Sequence, residues 1–349
     1  MKAYQLHDIN NCKYEDVKKP VAGENTVIVK VHATGICGSD IPRIYRNGTY
    51  SYPLIPGHEF SGEVCELGEN VDIKWLNKAV GIFPLIPCME CEQCKKKQYE
   101  MCRKYSYLGS RTNGGYAEYV KVPVWNLIEL PENVSYEQAA MLEPMAVAVH
   151  AMRRSGVIKE DRVAICGAGT IGLFLYMFLR NSGVNDILVI GNKEIQKRKV
   201  KELGCPEEKY FDSKHGDAGE WLRKQSEEKA IDVFFDCVGT NEVVSLAVEN
   251  VAPSGTVFLV GNPASDMQLE KKVYWKILRN QLTLLGTWNS SFTHDSEDDW
   301  NYILDRLESG AIHPEKMITH RFPLENLASG FELMRDKTEE YIKVMGIIS

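Results

Sequence analysis

The sequence predicts an α/β protein with two domains, a β-rich first domain and a second domain built on a parallel sheet covered by helices. Its 349 residues exceed the roughly 250 to 300 residues at which a single hydrophobic core stops growing. Near residue 135, alternating apolar and polar residues give way to short apolar runs separated by amphipathic stretches. A glycine-rich turn joins the first of these apolar runs to the helix that follows it.

The composition is ordinary for a globular protein, with 44% hydrophobic residues, 26% charged residues and a formal net charge of -7. It excludes a strongly basic nucleic-acid-binding surface and a disordered chain. The start, MKAYQLHDIN, has no basic region before an apolar run, and no stretch approaches the roughly 18 apolar residues of a membrane span. We therefore expect a cytoplasmic protein without nucleic-acid or membrane partners.

Strands are predicted before residue 135, and helices alternate with strands after it. The first strands are TVIVKVHAT, EFSGEVCEL, KAVGIFPLI and GYAEYVKVP. A helix, SYEQAAMLEPMAVAVHAMRRSG, comes next, and then the apolar strands RVAICG, DILVIG, IDVFFDCVG and TVFLVG. These strands are separated by the helical stretches GLFLYMFLRNSG, KEIQKRKVKELG and NEVVSLAVENVAPSG. Apolar strands that alternate with helices indicate a parallel sheet with right-handed crossovers.

From about Trp288 the strand–helix alternation is lost. This last part mixes a helix, DDWNYILDRLESG, with short elements such as ITHRFPL and YIKVMGII. It does not continue the parallel sheet cleanly.

Four of the ten cysteines crowd into PCMECEQCKKKQYEMC. The spacing C-x2-C-x2-C-x7-C predicts that Cys88, Cys91, Cys94 and Cys102 close around one tetrahedral zinc. The alternative is four free buried cysteines. It is disfavoured, because a loop with so many polar residues is a poor place to bury them. Because sulfur fills every position, we expect this metal to stabilise the fold and to take no part in catalysis.

A second, open metal site is indicated by the stretches GICGSD, PGHEFSG and MLEPMA. A catalytic zinc takes three protein ligands and leaves one position for an exchangeable oxygen, and Cys37, His58 and a carboxylate could supply that set. Ser39 could relay the proton of a bound alcohol, and Asp40 could accept the second ring N–H of His58. The alternative is that Ser39 and Asp40 are ordinary turn residues.

The stretch RVAICGAGTIGLFLYMF carries the pattern G-x-G-x-x-G between a strand and a helix. Glycines here allow a tight turn, close approach of a pyrophosphate to the backbone, and close packing of helix on strand. We predict that this turn binds a dinucleotide, the alternative being a purely structural turn. The candidate residues are Gly167, Gly169, Thr170, Ile171 and Gly172. An open zinc beside a dinucleotide site predicts hydride exchange between an alcohol or carbonyl carbon and nicotinamide.

Together these motifs resemble the zinc-dependent medium-chain dehydrogenase/reductase family, which includes alcohol, sorbitol and threonine dehydrogenases, over essentially the whole chain. The resemblance implies a GroES-like β-barrel catalytic domain at 1–153 and a Rossmann doubly wound parallel-sheet domain for the cofactor at 154–288. It implies that residues 289–349 return to the catalytic domain, and that each chain holds two zinc ions. The catalytic zinc residues that it implies are Cys37, His58, Glu59 and Glu143, with both glutamates able to alternate with water. The four clustered cysteines match the structural zinc, and Ser39 matches the relay hydroxyl.

Three further stretches resemble the branch of the family that oxidises sugar-alcohol phosphates, namely CGSDIPRIYRNGTYSYPLIPGHEFSG, YSYLGSRTNGGYAEYV and KILRNQLTLLGTWNSS. This resemblance implies oxidation of a secondary hydroxyl to a ketose phosphate, with galactitol 1-phosphate as the favoured substrate. Arg43 and Arg46 are candidates for binding the phosphate, because a guanidinium fork suits its oxygens, and Tyr50 is a candidate for the substrate cleft. The alternative is that these three are surface or packing residues.

The end of the second strand of the cofactor domain departs from the family pattern. NAD-dependent members usually carry an aspartate there, which binds the ribose hydroxyls of the adenosine. That position falls on Gly191, and Asn192 and Lys193 follow it. We expect NADP to be favoured over NAD, with Asn192, Lys193 and Arg198 near the 2′-phosphate. The alternative is that the basic residues within 193–199 form only a solvated helix face.

The sequence thus favours a zinc-dependent NAD(P) polyol-phosphate dehydrogenase. Alternatives within the same class are sorbitol, butanediol and arabitol-phosphate dehydrogenases, or another secondary-alcohol dehydrogenase or ketone reductase. A non-catalytic nucleotide-binding protein is disfavoured, because the zinc residues and Ser39 are all present. The expected partners are a small-molecule polyol phosphate or secondary alcohol, and further copies of the chain in a homodimer or homotetramer.

Overall fold

The computed structural model describes residues 1–349, and the chain divides into two compact units. Unit 1 consists of Met1–Ala146 and Ser291–Ser349, and unit 2 consists of Val147–Ser290. None of the helices combines the length and the apolar character that crossing a lipid bilayer would require.

The first part of unit 1 is mostly strands. These are β1 (Lys2–Asp8), β2 (Asn11–Asp16), β3 (Thr26–Ile36), β4 (Glu59–Leu67), β5 (Ala79–Ile82), β6 (Leu85–Ile86), β7 (Ser106–Tyr107), β8 (Tyr119–Pro123) and β9 (Leu127–Glu129). The helices are α1 (Asp40–Pro42), α2 (Glu92–Lys95), α3 (Tyr136–Ala139) and the first residues of α4 (Leu142–Ser155), which continues into unit 2. A π-helical turn over Arg43–Asn47 follows α1 directly.

The helix predicted over 135–156 is divided into α3 and α4. Ser135 and Gln138 form a capping box at the start of α3, with a hydrogen bond of 3.2 Å from the Gln138 backbone N–H to Ser135 Oγ. Pro144 lacks a backbone N–H and is tolerated only in the first turn of a helix. The chain therefore starts a new helix at Leu142 rather than continuing α3 through the proline.

Unit 2 alternates strands and helices. Its strands are β10 (Arg162–Cys166), β11 (Asp186–Gly191), β12 (Tyr210–Asp212), β13 (Ile231–Asp236), β14 (Val251–Leu259) and β15 (Thr283–Gly286). Its helices are α5 (Thr170–Asn181), α6 (Glu194–Glu202), α7 (Ala218–Glu228), α8 (Asn241–Asn250) and α9 (Lys271–Arg279). All neighbouring strands are parallel, in the order β12-β11-β10-β13-β14-β15. This order reverses beside β10, as in a doubly wound dinucleotide-binding sheet.

The predicted extent of one helix in unit 2 is wrong. The sequence predicted a helix from Asn241 to Gly255, whereas α8 ends at Asn250 and β14 begins at Val251. Pro253 cannot donate to the helical hydrogen-bond ladder, so the helix cannot continue through it. The chain instead bends at Ser254, which has a φ of 63°, and enters the sheet.

The last part of the chain completes unit 1. It forms α10 (Asp299–Glu308), β16 (Ile318–Pro323), α11 (Leu327–Asp336) and β17 (Lys343–Ile347). Strand β17 pairs antiparallel with β3, and β16 pairs parallel with β17. The resulting seven-stranded sheet has the order β16-β17-β3-β4-β5-β9, and β8 also pairs with β3. The return of the chain to unit 1 explains why the strand–helix alternation stops after Trp288.

Each unit has its own hydrophobic core. In unit 1, residues of β3 such as Val29 and Val31 pack with Phe60 of β4 and with Phe331 of α11. In unit 2, the sheet contributes residues that pack against Leu222 of α7, Ala247 of α8 and Val273 of α9. Helix α6, which was predicted from KEIQKRKVKELG, is amphipathic in the structure. Its buried side includes Ile195 and Val200. These cores fix the strands at whose ends the candidate functional side chains lie.

Candidate active site

A potential metal centre lies where β3 and β4 meet. The antiparallel register pairs Gly35 of β3 with Glu59, the first residue of β4. Cys37 follows β3 and His58 precedes β4, so the pairing brings both beside Glu59. One ligand atom from each of Cys37, His58 and Glu59 lies within 4.8 Å of the other two. A thiolate, an imidazole and a carboxylate form a donor set that suits zinc.

A buried ion pair between Lys343 and Glu59 is a feature that sequence reasoning missed. Lys343 begins β17, in which Val344 lies opposite Ile36 of β3. Its Nζ contacts Oε2 of Glu59 and donates a hydrogen bond of 3.1 Å to the backbone oxygen of Ile36. Both side chains of the pair are 2% exposed. A Cβ at Gly35 would contact the Glu59 carboxylate and lie 2.7 Å from Lys343 Cε, so glycine at this position leaves room for the pair.

The signal for this pair was a single lysine in the apolar stretch YIKVMGII. A lysine is almost never fully buried without a partner, so its place among apolar residues was informative. The sequence did not indicate which carboxylate it meets, because Glu59 lies 284 residues away along the chain.

Asp40 is fully buried and receives several polar groups. Its Oδ2 accepts hydrogen bonds from the Tyr116 hydroxyl at 2.6 Å and from the Cys37 backbone N–H at 3.2 Å. Its Oδ1 lies 2.5 Å from an Arg43 nitrogen, and Nδ1 of His58 is 3.5 Å away, longer than a normal hydrogen bond. Burial alone would raise the pKa of Asp40, but His58, Arg43 and the Tyr116 hydroxyl hold it below its ordinary value.

Ser39 stands at the open side of this cluster. Its side chain is exposed, and its hydroxyl lies 3.3 Å from Sγ of Cys37. Ser39, Arg43 and Tyr50 line the same cavity of about 350 Å³. Arg46 is exposed and is not among the residues that line this cavity. Of the three predicted substrate residues, the structure thus brings Arg43 and Tyr50 near Ser39.

Glu143 lies in the first turn of α4 and is buried. It is not one of the three residues whose ligand atoms cluster. Its Oε1 accepts a hydrogen bond of 3.1 Å from the Tyr107 hydroxyl, and the ring of Tyr107 lies 5.9 Å from the ring of His58. Burial raises the pKa of Glu143 to about 6. Tyr107, which sequence reasoning did not single out, therefore orients the second glutamate beside the metal centre.

The four clustered cysteines converge. Sγ of Cys94 lies 3.5 Å from that of Cys91 and 3.9 Å from that of Cys88, and the sulfurs of Cys91 and Cys102 are 3.9 Å apart. Four sulfurs around a zinc at about 2.3 Å would be about 3.8 Å from one another. None of the four forms a disulfide. Backbone N–H groups of Cys94 and Arg103 lower the pKa of Cys91 to about 6, which favours the thiolate that binds metal.

The glycine-rich turn of unit 2 joins β10 to α5, and residues 170–172 form the first turn of the helix. Gly167 has a φ of 103°, which favours glycine. A Cβ at Gly172 would contact the backbone oxygen of Gly167, so this glycine permits close packing of α5 on the strand. A Cβ at Gly169 would meet no atom within 4 Å, so open space lies beside it. This open space at a helix N-terminus suits an approaching phosphate group.

Gly191 ends β11 and is buried. A Cβ there would contact the Tyr210 hydroxyl and would lie 2.9 Å from Oε1 of Gln196. The same Oε1 accepts a hydrogen bond of 2.9 Å from the Asn192 backbone N–H. A side chain at position 191 would therefore displace Gln196 and Tyr210. Lys193, which follows Asn192, is the N-cap residue of α6.

The basic residues further along α6 are paired with glutamates. Lys197 lies 3.3 Å from Glu207, and Lys199 lies 2.7 Å from Glu202. Arg198 is 4.0 Å from Glu202, and its side chain is 61% exposed. Each of these three basic residues thus has a glutamate within 4.0 Å.

Comparisons with known proteins agree with this geometry. The family model of the alcohol dehydrogenase GroES-like domain matches residues 23–132, and that of the zinc-binding dehydrogenase matches residues 170–309. Galactitol 1-phosphate 5-dehydrogenase from Escherichia coli (strain K12) is 33% identical over 314 residues, which cover 90% of each chain. The chain belongs to the zinc-dependent alcohol and polyol dehydrogenases. It is an oxidoreductase, as the sequence predicted.

Solved structures confirm the predicted fold class. The crystal structure of galactitol-1-phosphate dehydrogenase from Escherichia coli has a TM-score of 0.91 at 31% identity, covering 99% of this chain and 100% of that one. A zinc-binding dehydrogenase from Sinorhizobium meliloti 1021 bound to NADP has a TM-score of 0.89 at 27% identity, covering 99% and 98%. An alcohol dehydrogenase from Escherichia coli CFT073 complexed with NADH has a TM-score of 0.89 at 26% identity, covering 99% of each chain. Both nicotinamide cofactors thus occur among relatives of this dehydrogenase.

We expect Lys343→Met to lower the free energy of unfolding by about 3 to 5 kcal/mol, because the buried Glu59 carboxylate would lose its partner. Urea denaturation of the metal-loaded protein measures this change. The double variant Lys343→Met, Glu59→Gln should recover most of the loss, since neither charge of the buried pair then remains.

Lys121→Met is the matched control, because Lys121 is an exposed lysine in strand β8 of the same sheet. It should change the unfolding free energy by less than about 0.5 kcal/mol. Equal small effects at positions 343 and 121 would show that the ion pair does not stabilise unit 1.

Proposed function

We propose that the protein oxidises a secondary hydroxyl of a sugar-alcohol phosphate, with galactitol 1-phosphate as the favoured substrate, and transfers the hydride to NAD(P). The observation that carries the proposal is the converging set of Cys37, His58 and Glu59, with the Ser39 hydroxyl exposed beside Cys37. The choice of substrate is supported by the similarity of the chain to galactitol 1-phosphate 5-dehydrogenase from Escherichia coli. Sorbitol, butanediol or arabitol-phosphate oxidation by the same residues is the second candidate.

Two zinc ions per chain are part of the proposal. Cys37, His58 and Glu59 would hold the catalytic ion with Glu143 as a further carboxylate, and the four clustered cysteines would hold a structural ion. A bound catalytic zinc supplies Lewis-acid polarisation of the alcohol oxygen, while the nicotinamide accepts the hydride.

The side chains of the chain itself move the proton and orient the ligands. Ser39 accepts the hydroxyl proton of the substrate and passes it to solvent, to which its own side chain is exposed. Asp40, fixed by Tyr116 and Arg43, keeps a negative charge beside His58. Lys343 restricts the rotation of Glu59. The proton path thus leads outward while the buried charges remain fixed.

A steady-state comparison of substrates tests the proposal. The protein should turn over galactitol 1-phosphate with a kcat/KM at least about tenfold above that for galactitol, sorbitol and a simple secondary alcohol, because charge-assisted contacts to phosphate contribute binding energy. Arabitol 5-phosphate should rank between them. The assay is hydride transfer to NAD and to NADP, followed by absorbance of the reduced nicotinamide.

Two controls accompany this comparison. Removal of metal with a chelator should abolish turnover, and zinc should restore it. Ser39→Ala should lower kcat by roughly 10²- to 10⁴-fold while elemental analysis still finds two zinc ions per chain. Highest efficiency on an unphosphorylated polyol would support the second candidate function instead.

NADP preference is the next part of the proposal, with Asn192, Lys193 and Arg198 as the residues near the 2′-phosphate. The preference is supported by the glycine at position 191, which has no carboxylate. Gln196 and Tyr210 occupy the space that a side chain at this position would need. Without a carboxylate at this position, the adenosine ribose loses its usual acceptor and the 2′-phosphate meets no repulsive charge.

Lys193→Ala should raise the KM for NADP by about 10- to 100-fold and leave that for NAD unchanged, because only NADP carries the extra phosphate. Lys197→Ala is the matched control, since Lys197 is paired with Glu207, and it should alter neither value. Arg198→Ala tests the third candidate separately. If both cofactors respond equally to Lys193→Ala, the basic residues form only a solvated helix face.

We also propose a homodimer or homotetramer. Strand β15 pairs only with β14 and lies at the edge of its sheet. Large apolar side chains are exposed nearby in the sequence, including Trp275 of α9, Leu284 of β15 and Trp288. An open strand edge with exposed apolar side chains favours association. Sedimentation equilibrium should therefore give a multiple of 39.5 kDa, and the monomer mass at micromolar concentration would contradict this proposal.

A further inference from the structure

We propose that Arg111 binds the phosphate group of the substrate, an inference that rests on the proposed function. Arg111 belongs to the loop GSRTNGG between β7 and β8. Its guanidinium carbon lies 4.1 Å from the ring centre of Tyr105 and 4.6 Å from that of Tyr50. One of its nitrogens donates a hydrogen bond of 2.8 Å to the backbone oxygen of Tyr105. The guanidinium is thus held in place by aromatic stacking and by one backbone contact.

The charge of Arg111 is not compensated by a carboxylate, since this side chain forms no ion pair and its contacts are the two rings and the backbone oxygen. A guanidinium carries five N–H donors, and the backbone contact uses a single nitrogen. The remaining donors can bind two oxygens of one phosphate. Arg43 differs, because one of its nitrogens lies 2.5 Å from the buried Asp40 carboxylate. The charge of Arg43 is therefore compensated by Asp40, whereas Arg111 offers an anion both donors and an uncompensated charge.

The position of Arg111 suits a phosphate at some distance from the reacting hydroxyl. A series of rings leads outward from the metal ligands, with His58 and Tyr107 5.9 Å apart and Tyr107 and Tyr105 6.2 Å apart. Arg111 stacks on the last ring of this series. It also stacks on Tyr50, which lines the cavity that contains Ser39.

A substrate whose hydroxyl lies at Ser39 can therefore extend through this cavity of about 350 Å³ toward Arg111. In galactitol 1-phosphate, four carbon–carbon bonds separate the secondary hydroxyl carbon C5 from C1, which carries the phosphate. A polyol without phosphate would meet the same cavity but would leave the guanidinium unused. The geometry thus favours phosphorylated polyols over free ones.

The two loops that carry Arg111 and Tyr50 are fixed to each other by hydrogen bonds. The Thr49 hydroxyl donates a hydrogen bond of 2.7 Å to the backbone oxygen of Ser110. The backbone N–H of Ile55 donates one of 3.0 Å to Oδ1 of Asn113. A binding group that is held before the ligand arrives loses less conformational entropy on binding. Arg111 therefore belongs to a preformed subsite.

Arg306 provides a matched comparison. Its guanidinium carbon lies 3.2 Å from the ring centre of Tyr302, and it donates a hydrogen bond of 2.9 Å to the backbone oxygen of Tyr302. These are the same two kinds of contact that Arg111 makes. Neither arginine lines the cavity beside Ser39, but Arg111 stacks on Tyr50, which does, whereas Arg306 lies in α10 and stacks on Tyr302, which does not. A role that is only structural would make the two arginines behave alike.

The test compares kcat/KM for galactitol 1-phosphate and for galactitol in the zinc-loaded full chain. Arg111→Gln should lower the value for galactitol 1-phosphate by about 10- to 100-fold and leave that for galactitol unchanged. Arg111→Lys keeps the charge but loses the planar fork, so its loss should be smaller and again confined to the phosphorylated substrate. Arg306→Gln should change neither value. Inorganic phosphate should inhibit the wild type competitively and Arg111→Gln at least about tenfold more weakly.

The outcomes separate this inference from the proposed function. A wild type that does not favour the phosphorylated polyol contradicts the proposed function, whatever Arg111 does. A wild type that favours it, together with an Arg111→Gln variant that keeps the preference, overturns the role of Arg111. Equal losses on both substrates in Arg111→Gln and Arg111→Lys, with a lowered thermal midpoint, would mean that Arg111 only supports the loop.

Discussion

The site depends on one constraint, the register of the end of β3 against β4 and β17. Pairing with β4 sets Gly35 opposite Glu59, and pairing with β17 sets Ile36 opposite Val344. A shift by one residue in either ladder would turn alternate side chains to the other face of the sheet. The end of β3 is thus the point at which Cys37 and the two charged groups of the buried pair meet, and backbone hydrogen bonds fix their positions before any ligand is present.

Two buried carboxylates near the end of β3 are compensated by basic side chains of the protein. Glu59 is matched by Lys343, and Asp40 is matched by Arg43 and receives the Tyr116 hydroxyl. Buried carboxylates without such partners would take up protons and could no longer act as charged groups. This arrangement has a cost for recognition, because an arginine that is engaged with a buried carboxylate has fewer donors for substrate. A charged group on a substrate would then have to be bound further out, on the loops.

Local signals were readable from the sequence, and long-range partners were not. The spacing of the four cysteines, the glycine turn and the strand patterns each depend on neighbouring residues, so they predicted the convergence of the cysteines and the alternation of strands and helices in unit 2. Strand β15 gave no pattern because its residues are largely exposed, and β12 has only three residues. The partners of Glu59 and Glu143 come from distant strands, and the packing of Tyr210 against Gly191 depends on the parallel pairing of β11 with β12. No spacing rule connects such residues.

The return of the chain to unit 1 has a consequence for biosynthesis. Glu59 and Lys343 are separated by 284 residues, and unit 2 lies between them in the sequence. A nascent chain leaves the ribosome N-terminal end first and folds domain by domain, yet residues 33–36 of β3 lack their neighbour on one edge until β17 has been made. Cys37, just after β3, and His58 and Glu59, at the start of β4, are therefore synthesised early, whereas the lysine that contacts Glu59 is synthesised much later. Contacts between residues so far apart in the sequence form slowly, so closure of this sheet is a late folding event. Unit 2 is already synthesised by then.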